Sequence, residues 1–163
     1  LKKNIKAYAF LLILAAAIVA LDQFTKNLVR QNLAYGEVWS PWAWLMPYAR
    51  IVHWYNTGVA FGLFQGMGMV FTFLPLIVVI LIFIFYGRLA GDNWWMRFAI
   101  GLEFGGAIGN LIDRITIGHV TDFISIGNFA VFNVADASIT VGVCVLLFVL
   151  WKEEKKNSVK PVQ

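Results

Sequence analysis

The segment Met69 to Tyr86 contains no charged side chain, and three further apolar runs accompany it: Ala7 to Leu21, Phe98 to Ile112 and Ala137 to Trp151. A bilayer core about 30 Å thick accepts a helix of roughly 20 apolar residues, whereas a water-soluble fold has no place for four such runs. Composition agrees, with 60% hydrophobic residues, 13% charged and a mean hydropathy of +0.74. A soluble domain is usually about 25% charged. The 163 residues suffice for one domain, with four spans of roughly 20 residues and modest loops. The first, third and fourth runs need flanking residues to cross. Pro75, inside the second, is tolerated in a membrane helix with a kink.

The first run has one feature of a cleavable secretory signal, since Lys2, Lys3 and Lys6 precede it and small residues close it. Asp22 and Lys26 just beyond it, and the apolar runs that follow, favour a retained first helix reaching about Asn32. Charge then gives an orientation. The N-terminal segment, the loop around Arg88 and Arg97, and the C-terminal tail hold nine of the 13 Lys and Arg residues. With four spans these share one side, which the positive-inside bias makes cytoplasmic. The net charge of +4 is thus spent at membrane flanks. No basic patch interleaved with aromatics points to nucleic acid. The single cysteine, Cys144, excludes an internal disulfide.

These arguments predict an all-α membrane bundle with four transmembrane helices, a small extracytoplasmic β-sheet and a short interfacial helix. Residues 1–155 form one membrane domain, with spans at about 7–32, 69–86, 97–115 and 134–152. Residues 33–68 and 116–133 are outer segments, and 156–163 form a polar, disordered cytoplasmic tail. In the first outer segment, Arg50 to Tyr55 reads as a strand, and the tryptophans and tyrosines around it favour the headgroup level. In the second, Gly118 and Gly127 bracket an expected interfacial helix or loop.

Ionisable residues at membrane depth are costly and are candidates for function. Asp22, Asp113, Asp122 and Asp136, with Lys26, Arg114, Asn56, Asn110 and Asn133, all fall at the outer ends of the runs or in the outer segments. Asp22 and Lys26, four apart, share a helix face and can form a salt bridge. Asn110, Asp113 and Arg114 share the side of a helix whose Gly101, Gly105 and Gly109 permit close packing. Asp122 and Asp136, if held close, cannot both ionise. One could then deprotonate water while the other serves the carbonyl oxygen. The alternative keeps the carboxylates separate, paired with Arg114 and Lys26 or lining an ion path. A serine triad of His119, Asp122 and Ser125 needs their segment to be helical and lacks a nucleophile elbow. A metal site on His53 and His119 lacks ligand spacing. Glu103, inside the third run, has no role in any of these readings.

Five motifs together resemble those of bacterial lipoprotein signal peptidase, or signal peptidase II. They are Asp22-Gln-Phe-Thr-Lys26, Asn56-Thr-Gly-Val-Ala-Phe61, Gly105-Gly-Ala-Ile-Gly-Asn-Leu-Ile-Asp-Arg114, Val120-Thr-Asp-Phe123 and Phe132-Asn-Val-Ala-Asp136. The resemblance implies a multi-pass aspartic endopeptidase of the bacterial cytoplasmic membrane. Its substrate would be a prolipoprotein already carrying diacylglycerol on the lipobox cysteine, cut just before that cysteine. Asp122 and Asp136 match the family's catalytic pair. Asp22, Lys26, Asn56, Gly58, Asn110, Asp113, Arg114 and Asn133 match substrate-binding or supporting positions. The resemblance also implies inhibition by globomycin, membrane lipid as surroundings, a monomer, and no cofactor or metal. The stretch from Asp122 to Asp136 is shorter than in many members, Thr121 stands where valine is usual, and Glu103 where an aliphatic residue is usual. A proton-coupled transporter should instead show inverted repeats and acids at mid-span. A non-enzymatic lipid-binding subunit would not need two carboxylates in matched contexts.

Overall fold

A computed structural model of the chain describes residues 2–57 and 68–158. In chain order these form α1 (Lys2–Asn32), β1 (Val38–Trp39), β2 (Ala49–Asn56), α2 (Gly68–Leu89), α3 (Trp94–Ile117), β3 (Val120–Ile126) and α4 (Val134–Ser158). Among the described residues, Ile5–Asn32 and Val134–Lys156 are long and apolar enough to cross a membrane, and Phe73–Leu89 is a shorter apolar stretch. Exposed Leu12, Ile13, Phe73, Ile77, Ile84, Leu147 and Phe148 give the bundle an apolar exterior. The molecule is therefore mostly helical, with a small sheet, and its apolar exterior fits a membrane protein.

α3 is the central helix and packs most extensively on α4 and α1. Its glycines explain how. A Cβ on Gly101 would lie 2.7 Å from Leu14 Cδ2, and one on Gly105 would lie 3.0 Å from Ala15 Cα. Gly106 faces the other way, where a Cβ would meet Ala135 O at 2.5 Å. Small residues thus bring α1 and α4 against opposite sides of α3, as the four-residue glycine spacing leads one to expect. The buried apolar core of Ala7, Leu11, Tyr86, Met96, Ile100, Phe104 and Val149 lies toward the N-terminal end of α1. That leaves the other end of the bundle for polar groups.

α3 begins where Asn93 Oδ1 accepts from the backbone N–H groups of Trp95 at 3.0 Å and Met96 at 3.3 Å. Such a cap satisfies amides that have no partner within the helix. It ends at Gly118, whose φ of 80° suits glycine. The chain then runs directly into β3, which pairs antiparallel with β2 in a sheet ordered β1-β2-β3. The expected interfacial helix of 116–133 is thus replaced by a strand. Val120, Thr121, Phe123 and Ile124 are β-branched or aromatic and suit a strand packed on both faces. The strand at Arg50 to Tyr55 is present within β2. A further departure concerns the tail, since α4 continues to Ser158 and residues 156–158 are helical.

Ile51 pairs with Ile124 and Trp54 with Asp122, so β2 takes one more residue than β3 over that stretch. This bulge bends the sheet over the bundle end. Beyond β3, Gly127 turns at a φ of 51°. Phe132 then bridges back to Ile124, donating to Ile124 O at 3.1 Å and accepting from Ile124 N at 2.7 Å. The return lays Asn133 beside β3, next to the start of α4.

Candidate active site

Asn133 stands at the junction between β3 and α4. Its Nδ2 donates to Asp122 Oδ1 at 2.8 Å, to Asn110 Oδ1 at 3.1 Å and toward Thr121 O at 3.3 Å. Its Oδ1 accepts from Asp136 N at 2.9 Å, while its own backbone N–H donates to Asp136 Oδ2 at 3.2 Å. This is a reciprocal cap at the start of α4, with a carboxylate completing the return bond. The cap therefore ties the two candidate catalytic carboxyl groups to one residue.

Asn110, on α3, supplies the second tie. Its Nδ2 donates to Asp136 Oδ1 at 2.7 Å, and its Oδ1 accepts from Lys26 Nζ at 2.9 Å. Lys26 is fully buried, with its ammonium 2.8 Å from Asp22 Oδ2 and 3.3 Å from Asp113 Oδ2. Buried charge is tolerable only when paired and hydrogen-bonded, as this one is. Asp22 uses its other oxygen to accept from Ala135 N at 3.0 Å. A carboxylate there also opposes the positive end of the α4 dipole. Asp113 Oδ2 accepts from Thr121 N at 2.9 Å.

Asp122 is itself buried, and its carboxyl is pushed up to about 7. Burial is the chief cause, followed by the charge of Asp136. The hydrogen bond from Asn133, the charge of Lys26 and a hydrogen bond from Asn56 act in the opposite sense. A carboxyl near neutrality beside a second carboxyl can hold or release a proton during a reaction. Arg114, half-buried on the last turn of α3, lies in the field of Asp136, Asp122 and Asp113.

The structure thus brings Asp22, Lys26, Asn110, Asp113, Asp122, Asn133 and Asp136 into one network, with Asn56 and Arg114 at its edge. Gly58 lies outside the described residues. The salt bridge expected between Asp22 and Lys26 is present. The helical alignment of His119, Asp122 and Ser125 is absent, because β3 is a strand and odd spacings there point to opposite faces. Two residues not singled out from the sequence join the network. Gln23 Nε2 donates to Asp113 Oδ1 at 3.1 Å, to Gly109 O at 3.0 Å and to Asp22 Oδ2 at 3.2 Å. Arg30 Nη1 reaches Thr121 Oγ1 at 3.0 Å and Asp113 Oδ1 at 3.4 Å. Arg30 follows Lys26 by the same four residues that separate Lys26 from Asp22, which was the available signal.

Residues 14–152 match the family described as Signal peptidase (SPase) II. The chain belongs to the signal peptidase II family. Relatives agree. The lipoprotein signal peptidase of Streptococcus pneumoniae is 34% identical over 91% of this chain and 97% of its own length. That of Mesorhizobium japonicum is 37% identical over 90% and 89%. A solved structure described as a bacterial membrane enzyme superposes with a TM-score of 0.84 at 31% identity, covering 94% of each chain. A second of the same description gives 0.77 at 32% identity, covering 86% of this chain and 91% of the other. Signal peptidase II enzymes are proteases, and the carboxylate network lies within the matched residues.

Proposed function

We propose that this chain is a membrane aspartic endopeptidase that removes the signal peptide from diacylglyceryl-prolipoproteins, cutting before the lipid-modified cysteine. The observation that carries the catalytic type is the bracketing of Asp122 and Asp136 by Asn133. Its amide holds Asp122 Oδ1 at 2.8 Å and its backbone N–H holds Asp136 Oδ2 at 3.2 Å. Held by one residue, the pair can work as one acid and one base. In the first step water adds to the scissile carbonyl carbon. One carboxylate takes the water proton and the other carboxyl gives its proton to the carbonyl oxygen. In the second step the carbon–nitrogen bond breaks and the amine of the lipidated cysteine leaves with a proton from one carboxyl. The other carboxylate takes a hydroxyl proton from the tetrahedral carbon as the new carboxyl group forms.

Four spans complete this reading, with both termini cytoplasmic and the dyad at the opposite face. The sheet would then rest at the outer interface, with Trp39, Trp42, Trp44 and Tyr48 exposed at headgroup level. A substrate that is half lipid arrives there without leaving the bilayer. Its unwound peptide needs partners for freed backbone groups. Asn56, Arg114 and the oxygens of the dyad edge would supply them, all from a single chain. Globomycin-type inhibitors would occupy the same place.

The test is a mass shift. Purified protein incubated with a lipidated prolipoprotein should release the signal peptide, and Asp122→Asn or Asp136→Asn should abolish release without loss of folded protein. Full activity in either variant would remove the dyad from the mechanism. Loss of activity in chelator with recovery in zinc would replace it with a metal reaction.

A further inference from the structure

Thr121 precedes Asp122 on β3 and points to the opposite face, as neighbours in a strand do. It is fully buried, and all three of its polar groups are engaged. Its Oγ1 accepts from Arg30 Nη1 at 3.0 Å, its N–H donates to Asp113 Oδ2 at 2.9 Å, and its C=O faces Asn133 Nδ2 at 3.3 Å. That same Nδ2 holds Asp122 Oδ1 at 2.8 Å. Arg30, in the last turn of α1, also pairs with Asp113 Oδ1 at 3.4 Å. One guanidinium on α1 is therefore fastened both to the strand that carries Asp122 and to the α3 carboxylate that fixes the strand's backbone.

We propose that Arg30 and Thr121 act together as positioning residues for Asp122, holding β3 against rotation so that the Asp122 carboxyl faces Asn133 and Asp136. This rests on the aspartic endopeptidase reading above. The argument is geometric. A strand fixed only by its N–H and C=O groups can roll about the line joining them. A side-chain anchor off that line, at Thr121 Oγ1, stops the roll, and Asp122 lies on the far side where a roll would displace it most. Arginine suits the task because its planar fork carries several donors in fixed directions, whereas a lysine is a single point charge. Among the described residues neither side chain bonds to the Asp122 or Asp136 carboxyl, so their effect passes through the strand to Asp122.

The test compares kcat and KM for release of signal peptide from a diacylglyceryl-modified prolipoprotein in detergent micelles. Thr121→Val keeps the volume and removes the hydroxyl. It should lower kcat on the order of tenfold, the scale on which small misplacements of reacting groups act, with KM within about twofold. Thr121→Ser keeps the hydroxyl and should retain the wild-type kcat. Arg30→Gln should match Thr121→Val, Arg30→Lys should recover part of the loss, and the double variant Arg30→Gln/Thr121→Val should fall no further than either single one, because both break one link. If Thr121→Ser loses as much as Thr121→Val, Thr121 acts by packing and the proposal fails. It also fails if Thr121→Val and Arg30→Gln keep the wild-type kcat, or if the two losses multiply. Arg30→Gln, at a partly exposed position, serves where Thr121→Val does not fold. A wild-type protein that leaves the substrate uncut overturns the endopeptidase reading itself, an outcome distinct from wild-type cleavage with unaffected variants.

Discussion

Asn133 Nδ2 lies 2.8 Å from Asp122 Oδ1, and the same asparagine is the reciprocal cap of the helix that carries Asp136. Helix capping and dyad geometry are therefore one arrangement. Asn133→Ala should lower the rate of signal peptide release about 100-fold, on the scale of a small displacement of reacting groups. It should also cost about 1 kcal/mol of stability through the lost cap. Rate assays beside thermal unfolding in detergent check both. A variant with a normal rate and lowered stability would confine Asn133 to capping.

The Asp122 carboxyl gives a pH dependence with a definite sign. Its value is raised from 3.8 to about 7, by burial first and by Asp136 second. The folded protein then binds more protons than the unfolded chain between those values. The stability contributed is fully present below about 3.8 and is lost as pH rises through about 7. Activity that needs the proton on Asp122 should fall over the same upper range. Asp122→Asn should remove this dependence. Its unfolding temperature relative to wild type should be higher at pH 8 than at pH 5, and an unchanged difference would contradict the assignment.

Lys26 is buried between Asp22, Asp113 and Asn110. Lys26→Met strands two carboxylates, and breaking a buried pair from one side costs about 3–5 kcal/mol. The yield of monodisperse protein in detergent should drop sharply. Asp22→Asn/Lys26→Met should recover part of it. A double variant no better than the single one would show that the pair does not act as a unit.

Gly106 faces the start of α4, where a Cβ would lie 2.5 Å from Ala135 O. Gly106→Ala should cost about 1–3 kcal/mol by overpacking, and should slow cleavage because α4 carries Asp136 away from α3. Thermal unfolding and the cleavage rate should fall together.

The helices were legible because their signals are long and redundant. Apolar runs mark α1, α2, α3 and α4, and the glycines of α3 mark the close contacts with α1. Arg50 to Tyr55 was legible as a strand from its β-branched and aromatic residues between Pro- and Gly-marked turns. β3 was not, for a physical reason. Val120, Thr121, Asp122 and Phe123 are all buried, so the two-residue alternation of a half-exposed strand is missing, and the three-residue spacing of His119, Asp122 and Ser125 imitates a helix. The polar candidates were visible as costly residues in an apolar chain. Their connections were not, because they depend on which side-chain atom faces which neighbour. Gln23 shows this well, since one amide nitrogen meets α1 and α3 groups and nothing in its spacing distinguishes it.

Asp22 on the first helix accepts from Ala135 on the last, 113 residues later. Synthesis proceeds from the N-terminus, so the first helix is made long before its partner exists. The candidate centre is completed only when α4 arrives. Until then Asp136 has neither been made nor capped, and on the proposed reading the nascent chain lacks half of its dyad. A chain that ends anywhere before Val134 lacks Asp136 and, on the proposed reading, should be inert.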